Sequence, residues 1–146
     1  YQLGPFIKTK RKLSKKIGDK LNLNYTYTDA RIKEKSEKES DDIIDKQLIY
    51  IPFYQANSSV GISYDNFSIS ANIQYVGYQF TRSDNLDWIP SFILTNIESS
   101  YKFKNSKGGI MLFGKANNIF NVIYEVRQWY PMPQLNYEIG FKININ

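Results

Sequence analysis

The chain has 146 residues and a formal net charge of +5; 16% of its residues are aromatic, and its mean hydropathy is −0.47. Cysteine and histidine are absent, which excludes disulfides, thiolate or histidine metal sites, histidine-ligated haem and Ser-His or Cys-His catalysis within this sequence. No run approaches the roughly 18 apolar residues of a helical membrane span, so composition fits either a soluble tyrosine-rich β-sandwich or a barrel with lipid outside and water inside.

The positive charge is concentrated near the start of the chain. The cations there are Lys8, Lys10, Arg11, Lys12, Lys15, Lys16 and Lys20. A nucleic-acid surface is one interpretation, and a solvated strand face with its turn is the other. The second is favoured because no stacking aromatic residues alternate with these cations, and no nucleic-acid partner is expected.

Alternation of apolar and polar residues predicts about seven antiparallel strands. They cover residues 3–13, 20–32, 48–64, 67–82, 90–104, 109–119 and 135–146. The last is the most regular, because every second residue from Leu135 to Ile145 is apolar. It is about twice the ~5–6 residues of a typical globular strand and exceeds the ~9–11 that a tilted strand needs to cross a membrane.

The predicted connections alternate in length. Three short turns are expected: one at 17–20, centred on Gly18-Asp19, one at Asp65-Asn66 and one at 105–108. Longer loops are expected at 33–46, 83–88 and 124–134. In an up-and-down sheet this alternation places every long loop at the same end, as in outer-membrane barrels. Membrane barrels must close and have even strand numbers in bacteria, so seven strands predict the C-terminal part of a larger barrel.

Several motifs resemble TonB-dependent outer-membrane receptors. Asn118-Ile-Phe-Asn121 follows a strand and precedes Tyr124, and Tyr130-Pro-Met-Pro133 precedes the last strand. An earlier segment, Leu23-Asn-Tyr-Thr-Tyr-Thr-Asp-Ala30, is similar to the family's strand that ends in Tyr-x-x-Asp-Ala. Together with the stretch from Pro52 to Tyr64, they extend the resemblance over nearly the whole chain. Five motif residues are expected to be architectural: Asn118, Phe120, Asn121, Pro131 and Pro133. The first three belong to the bend that follows one strand, and the two prolines belong to the entry to the last strand.

The resemblance implies active import of a scarce nutrient of the ferric siderophore, haem or cobalamin class. It implies an all-β barrel, usually of 22 strands, to which residues 1–146 contribute the C-terminal segment without the plug domain and the N-terminal strands. The implied partners are outer-membrane lipid, the remaining strands and plug, the nutrient, and the TonB inner-membrane complex acting through the plug. No enzymatic activity, cofactor or metal is expected. The location implied is the outer membrane of a Gram-negative cell.

Two sets of aromatic residues are candidate functional positions. Trp88, Tyr124, Arg127, Trp129 and Tyr130 are predicted in or beside long loops, where aromatic faces and a cation suit flat or anionic ligands. Membrane-interface aromatics are the competing interpretation for such positions, and the same role is predicted for Tyr27, Tyr50, Tyr75, Tyr78 and Tyr137.

Other functions compete with transport. A complete small barrel or β-sandwich that binds without transporting is the alternative, and an enzyme with an acid-based site is a third, disfavoured one. The acidic loop 33–46 lacks the spacing of an EF-hand, so a solvated loop is favoured over a cation site there.

Overall fold

A computed structural model describes residues 7–12, 17–34, 43–105 and 108–145, which form eleven strands. They are β1 (Ile7–Lys12), β2 (Ile17–Tyr27), β3 (Tyr54–Tyr64), β4 (Phe67–Val76), β5 (Gln79–Phe80), β6 (Trp88–Ile89), β7 (Phe92–Asn105), β8 (Gly108–Asn117), β9 (Glu125–Arg127), β10 (Tyr130–Pro131) and β11 (Asn136–Ile145). Within the described ranges, no helix has the length and apolar character needed to cross a membrane.

The seven longer strands form one antiparallel sheet in the order β1-β2-β3-β4-β7-β8-β11. Each strand pairs with the next long strand along the chain, so the topology is the predicted up-and-down meander. The short strands form two separate hairpins, β5–β6 and β9–β10, inside the connections. Among the described residues, β1 and β11 do not pair, and the sheet stays open. The predicted all-β, antiparallel fold class is confirmed.

The register places one apolar and one polar face on the sheet. Val60 lies opposite Ala71, which lies opposite Ile97, and Ala116 continues this row to Tyr137. Adjacent residues point to the opposite face, where Asn22 Nδ2 donates to Ser59 Oγ at 2.7 Å. We call the apolar face the outer face and the polar face the inner face. Outer residues are strongly exposed, Ile139 at 91%, which is unfavourable in water but suits lipid.

Several predicted boundaries are wrong. Gly18 and Asp19 lie within β2 rather than in a turn, because Gly18 pairs with Ser63 and its carbonyl accepts a hydrogen bond from Ser63 Oγ at 3.1 Å. At the other end, β3 begins at Tyr54 rather than at residue 48, and β4 ends at Val76 rather than at Arg82. The described part of the first predicted strand is β1, and its remaining residues lie outside the described ranges.

The sheet has only a small hydrophobic core. Val76, Phe92 and Leu94 are buried on the inner face, where Val122 and Tyr124 pack against them. No large side chain in the described part of the chain is fully buried. A single sheet with this little core cannot be a sandwich, in which two sheets bury a shared interior, so the sandwich alternative is not supported.

Candidate functional site: the long-loop rim

Three long connections emerge at the same end of the sheet, which we call the long-loop rim. They are loop 1 (28–34 and 43–53, the parts of this connection that the structure describes), loop 2 (77–91) and loop 3 (118–135). At the opposite end, Asp65-Asn66 connects Tyr64 to its pairing partner Phe67, and Asn105 pairs with Gly108 across another short connection. Asp65 has φ 52°, typical of a tight hairpin turn. The predicted separation of long and short connections is confirmed for these connections, whereas the connection between β1 and β2 lies outside the described ranges.

Loop 3 begins with two asparagines in left-handed backbone conformation. Asn118 has φ 53°, and its side chain forms two bonds to Val122: Oδ1 accepts from the backbone N–H at 2.9 Å, and Nδ2 donates to the carbonyl at 2.8 Å. Asn121 has φ 54°, and its Oδ1 accepts the N–H of Leu135 at 3.0 Å. Asparagine tolerates this conformation and replaces missing backbone partners. These bonds support the architectural role predicted for both residues.

The other motif residues lie around loop 3. Phe120 is 72% exposed. Pro131 ends β10 opposite Glu125, where the register shifts by a bulge, and Pro133 is exposed just before β11. A proline fits both places, since neither belongs to the main ladder.

Loop 3 carries a cation over an aromatic ring. The Arg127 guanidinium carbon lies 5.6 Å from the centroid of Tyr130, and the two residues pair across the β9–β10 hairpin. Gln128 and Trp129 form its tip; Trp129 has φ 68°, is 81% exposed, and donates its N–H to Glu125 Oε2 at 3.0 Å. We call Arg127, Trp129 and Tyr130 the tip patch. A cation beside exposed aromatic faces suits a flat or anionic ligand.

The other two predicted ligand residues take no part in the contact between Arg127 and Tyr130. Tyr124 packs on Phe92 with ring centroids 4.7 Å apart, within the small core, so its ring is held by packing on the inner face. Trp88 lies in loop 2 and is 57% exposed. Of the five predicted residues, the structure therefore brings Arg127 and Tyr130 into direct contact and places Trp129 beside them.

Aromatic side chains form two bands on the outer face. Near the long-loop rim, the ring centroid of Tyr27 lies 5.3 Å from that of Tyr54 and 6.4 Å from that of Phe53. The ring centroids of Phe53 and Tyr78 are 6.1 Å apart. The second band is at the short-turn end and was not anticipated; its members are Tyr64, Phe67, Tyr101 and Phe103. Tyr54 and Tyr64 are ten residues apart, roughly 33 Å along a strand. With the usual strand tilt in membrane barrels, this length spans about 25 Å across the membrane, which equals the height of their apolar band.

The remaining interface candidates occupy different positions. Tyr137 is an outer-face residue and is 71% exposed. Tyr75 pairs with Ala56 and Ile93 in the outer-face register. Tyr50 lies in loop 1 with φ 58°, and its N–H donates to the carbonyl of Phe80 at 2.8 Å. The membrane-interface role of all five tyrosines remains a prediction.

The inner face is polar and carries charge on its last three strands. Lys115 Nζ lies 4.0 Å from Glu98 Oε2 on β7, and Lys115 lies opposite Glu138 of β11 in the strand register. Asn117 Nδ2 donates to Glu138 Oε1 at 3.0 Å. The face borders an open concavity of about 720 Å³. Such a surface suits water or another polar protein surface.

Loop 1 contains two exposed ion pairs. Arg31 Nε lies 2.8 Å from Asp29 Oδ1, and Lys33 Nζ lies 2.6 Å from Asp45 Oδ1. The hydrogen bond from Lys33 lowers the pKa of Asp45, and the hydrogen bond to Asp29 raises the pKa of Arg31. Residues 35–42, which carry most of the acidic groups of the predicted loop 33–46, lie outside the described ranges; within the described ranges, no cluster of three or more Asp or Glu could hold a metal.

Sequence reasoning missed the residue that organises loop 1. Gln47 is only 3% exposed. Its Oε1 accepts the N–H of Ala30 at 3.0 Å, and its Nε2 donates to the carbonyls of Thr28 and Ile51 at 3.3 and 3.2 Å. One buried amide therefore joins both sides of the loop. A lone glutamine between Lys46 and Leu48 has no sequence signal for this role.

An up-and-down sheet with an apolar outer face between aromatic bands, a polar inner face and long loops at one end is part of a transmembrane β-barrel. The profile of the family described as TonB dependent receptor-like, beta-barrel matches residues 13–119. The chain belongs to this family, and the resemblance predicted from its motifs is confirmed.

A solved structure supports the fold. No match is found among curated proteins. Among solved structures, the chain is similar to BauA, the ferric preacinetobactin receptor from Acinetobacter baumannii, with a TM-score of 0.76 and 16% sequence identity. The similarity covers 97% of this chain and 22% of BauA, so the chain spans about a fifth of the length of that receptor.

Proposed function

We propose that residues 1–146 are the C-terminal segment of the barrel of an outer-membrane receptor that takes up a scarce nutrient with energy from the TonB system. The observation that carries this proposal is the family match over residues 13–119. The outer face between two aromatic bands supports a location in the outer membrane of a Gram-negative cell. The polar inner face suits contact with a plug domain, through which the TonB complex would act.

The nutrient belongs to the ferric siderophore, haem or cobalamin class. BauA, whose structure is similar, is described as the ferric preacinetobactin receptor, and the tip patch supplies a cation and aromatic faces for a flat or anionic ligand. Tyr124 and Trp88 take smaller parts, since Tyr124 is held in the small core and Trp88 lies on the neighbouring loop.

A growth assay tests this proposal. The gene encoding the whole receptor is deleted, and growth is measured with a ferric siderophore, haem or cobalamin as the limiting nutrient. We expect growth on one of the three to fail and to return with the complete receptor, but not in a strain without TonB. Unchanged growth on all three, together with no binding of any of them by the purified receptor, contradicts the proposal.

Substitutions at the rim test the ligand contacts. Arg127→Ala and Tyr130→Ala are expected to weaken binding of the transported nutrient by about fivefold or more, the effect of losing about 1 kcal/mol of cation–π or stacking interaction. Phe120→Ala is the matched control, because Phe120 is also an exposed aromatic residue of loop 3 but lies outside the tip patch. Equal losses for all three variants would place the ligand elsewhere.

A further inference from the structure

Loop 2 is braced by its own hydrogen bonds. The N–H of Thr81 donates to the carbonyl of Asp87 at 2.9 Å, closing the β5–β6 hairpin. At its tip, Asn85 donates its N–H to the carbonyl of Arg82 at 3.0 Å, and Asp84 accepts from Leu86 N–H at 3.1 Å. A loop with this many internal bonds holds its shape more firmly than an unbraced segment.

From this braced loop, Asn85 reaches loop 1. Its Oδ1 accepts the backbone N–H of Gln47 at 2.8 Å, and its Nδ2 donates to the backbone carbonyl of Gln47 at 2.9 Å. The amide therefore acts as a strand neighbour would, satisfying both backbone groups of one residue. Gln47 is the same residue whose side chain joins the two sides of loop 1. Asn85 has φ 59°, a left-handed backbone conformation that asparagine tolerates.

Asp87 reaches loop 3. Its Oδ2 accepts a hydrogen bond from Gln128 Nε2 at 2.8 Å, while its Oδ1 accepts from the N–H of Trp88 at 3.0 Å. The second bond fixes the orientation of the carboxylate. Gln128 stands between Arg127 and Trp129 at the tip of the β9–β10 hairpin. A bond to the tip of a two-residue turn restrains the residues on both sides of it.

We propose that Asp87 and Asn85 are positioning residues: Asp87 holds the tip patch in place, and Asn85 anchors loop 2 to loop 1, so that the three loops are ordered as one unit. The inference rests on the proposed function, since only a receptor needs Arg127 and Tyr130 oriented for a ligand. Neither residue is required to touch the ligand. A preorganised patch binds more tightly because less ordering entropy is lost on binding.

Distances between spin labels test the inference without any nutrient. The chain has no cysteine, so cysteines at exposed Ile44 in loop 1, Leu86 in loop 2 and Val126 in loop 3 can be labelled specifically. The measurement uses the complete receptor in lipid, with any cysteines elsewhere in it replaced. In the unaltered loops, both the 44–86 and the 86–126 pairs should give a single narrow distance distribution.

The variants separate the two anchors. Asp87→Ala should replace the narrow 86–126 distance with a broad distribution at longer distances, and Asp87→Asn should restore it, because an amide oxygen still accepts from Gln128. Asn85→Gly should broaden the 44–86 distance and leave the 86–126 distance narrow; glycine is chosen because it adopts positive φ without strain. Ser91→Ala, at an exposed position near the end of loop 2, is the inert control.

Two results would overturn the inference. One is a narrow 86–126 distance in Asp87→Ala; the other is a broad distribution in the unaltered receptor. These measurements do not depend on uptake, so the inference can fail while the growth assay succeeds. The reverse outcome, ordered loops in a receptor that transports none of the three nutrients, refutes the proposed function alone.

Discussion

Placing a charge at the middle of the outer face gives a quantitative test of the fold. Ala71 lies in β4 midway between Phe67 and Tyr75, with Val60 and Ile97 beside it in the outer-face register. Ala71→Arg adds a guanidinium there without removing a large apolar side chain. At the bilayer midplane an arginine costs about 2–4 kcal/mol in a membrane barrel, which lowers the ratio of folded to unfolded receptor by roughly 30- to 1,000-fold.

The adjacent residue provides the matched control. Asn72 is exposed on the inner face, so Asn72→Arg places the same side chain about 3.3 Å further along the same strand but in a polar environment. Ala71→Leu controls for bulk on the outer face. The assay is reversible unfolding of the complete receptor by urea in lipid vesicles. We expect a large loss of stability for Ala71→Arg alone; equal losses for both arginine variants would refute the assignment of the faces.

Three further predictions concern single contacts. Gln47→Ala should raise the rate of hydrogen exchange at the N–H of Ala30 by about fivefold or more, since this donor loses its partner. The control Gln74→Ala, on β4, should leave that rate unchanged. An unchanged rate in Gln47→Ala would contradict the role of Gln47. Gly140→Val should destabilise the receptor by about 1–3 kcal/mol, because a Cβ at Gly140 would lie 2.6 Å from the Phe113 ring. Adding Phe113→Ala should recover part of this loss of stability. A double-mutant cycle that shows no coupling between the two positions would refute the contact. The Lys33–Asp45 pair should stabilise loop 1 at pH values above the ordinary pKa of Asp45, and this stabilisation should be lost as the pH falls through the lowered pKa of Asp45. In a carbon-13 NMR titration, the midpoint for the Asp45 carboxyl should rise in Lys33→Ala. An equal midpoint in both proteins would contradict the pair.

The sequence predicts the sheet well wherever alternation is unbroken. Residues 67–76 and 136–145 alternate cleanly, and both form strands that share the predicted faces. The predicted end of β4 is wrong because Tyr78 and Phe80 again alternate with polar residues, although in the opposite phase to Phe67–Tyr75. The ladder to β3 ends here, with the hydrogen bond from Gly77 N–H to the carbonyl of Tyr54 at 2.9 Å. Alternation reports which way a side chain points, but not which strand lies beside it.

The candidate site is less predictable than the sheet. Asn118 and Asn121 stand out because they belong to a recurring motif, and the bonds of Asn118 to Val122 span only four residues. Gln47, Asn85 and Asp87 act across 17 to 41 residues, and polar residues are common in any exposed loop. Tyr124 is misleading for a different reason: an aromatic residue in a loop suits a ligand contact and a packing contact equally well, and only the position of Phe92 decides between them.

The central structural question is which face of the sheet meets lipid. Spin labels placed singly at residues 68 to 74 of β4 in the complete, membrane-inserted receptor can be probed with oxygen, which partitions into lipid, and with a water-soluble nickel complex. We expect accessibility to vary with a period of two residues along β4. Oxygen contact should be highest at 69, 71 and 73, and contact with the nickel complex should be highest at 68, 70, 72 and 74 wherever water reaches the inner face. Accessibility without this period, or with the two faces exchanged, would contradict the assignment of the outer face to lipid.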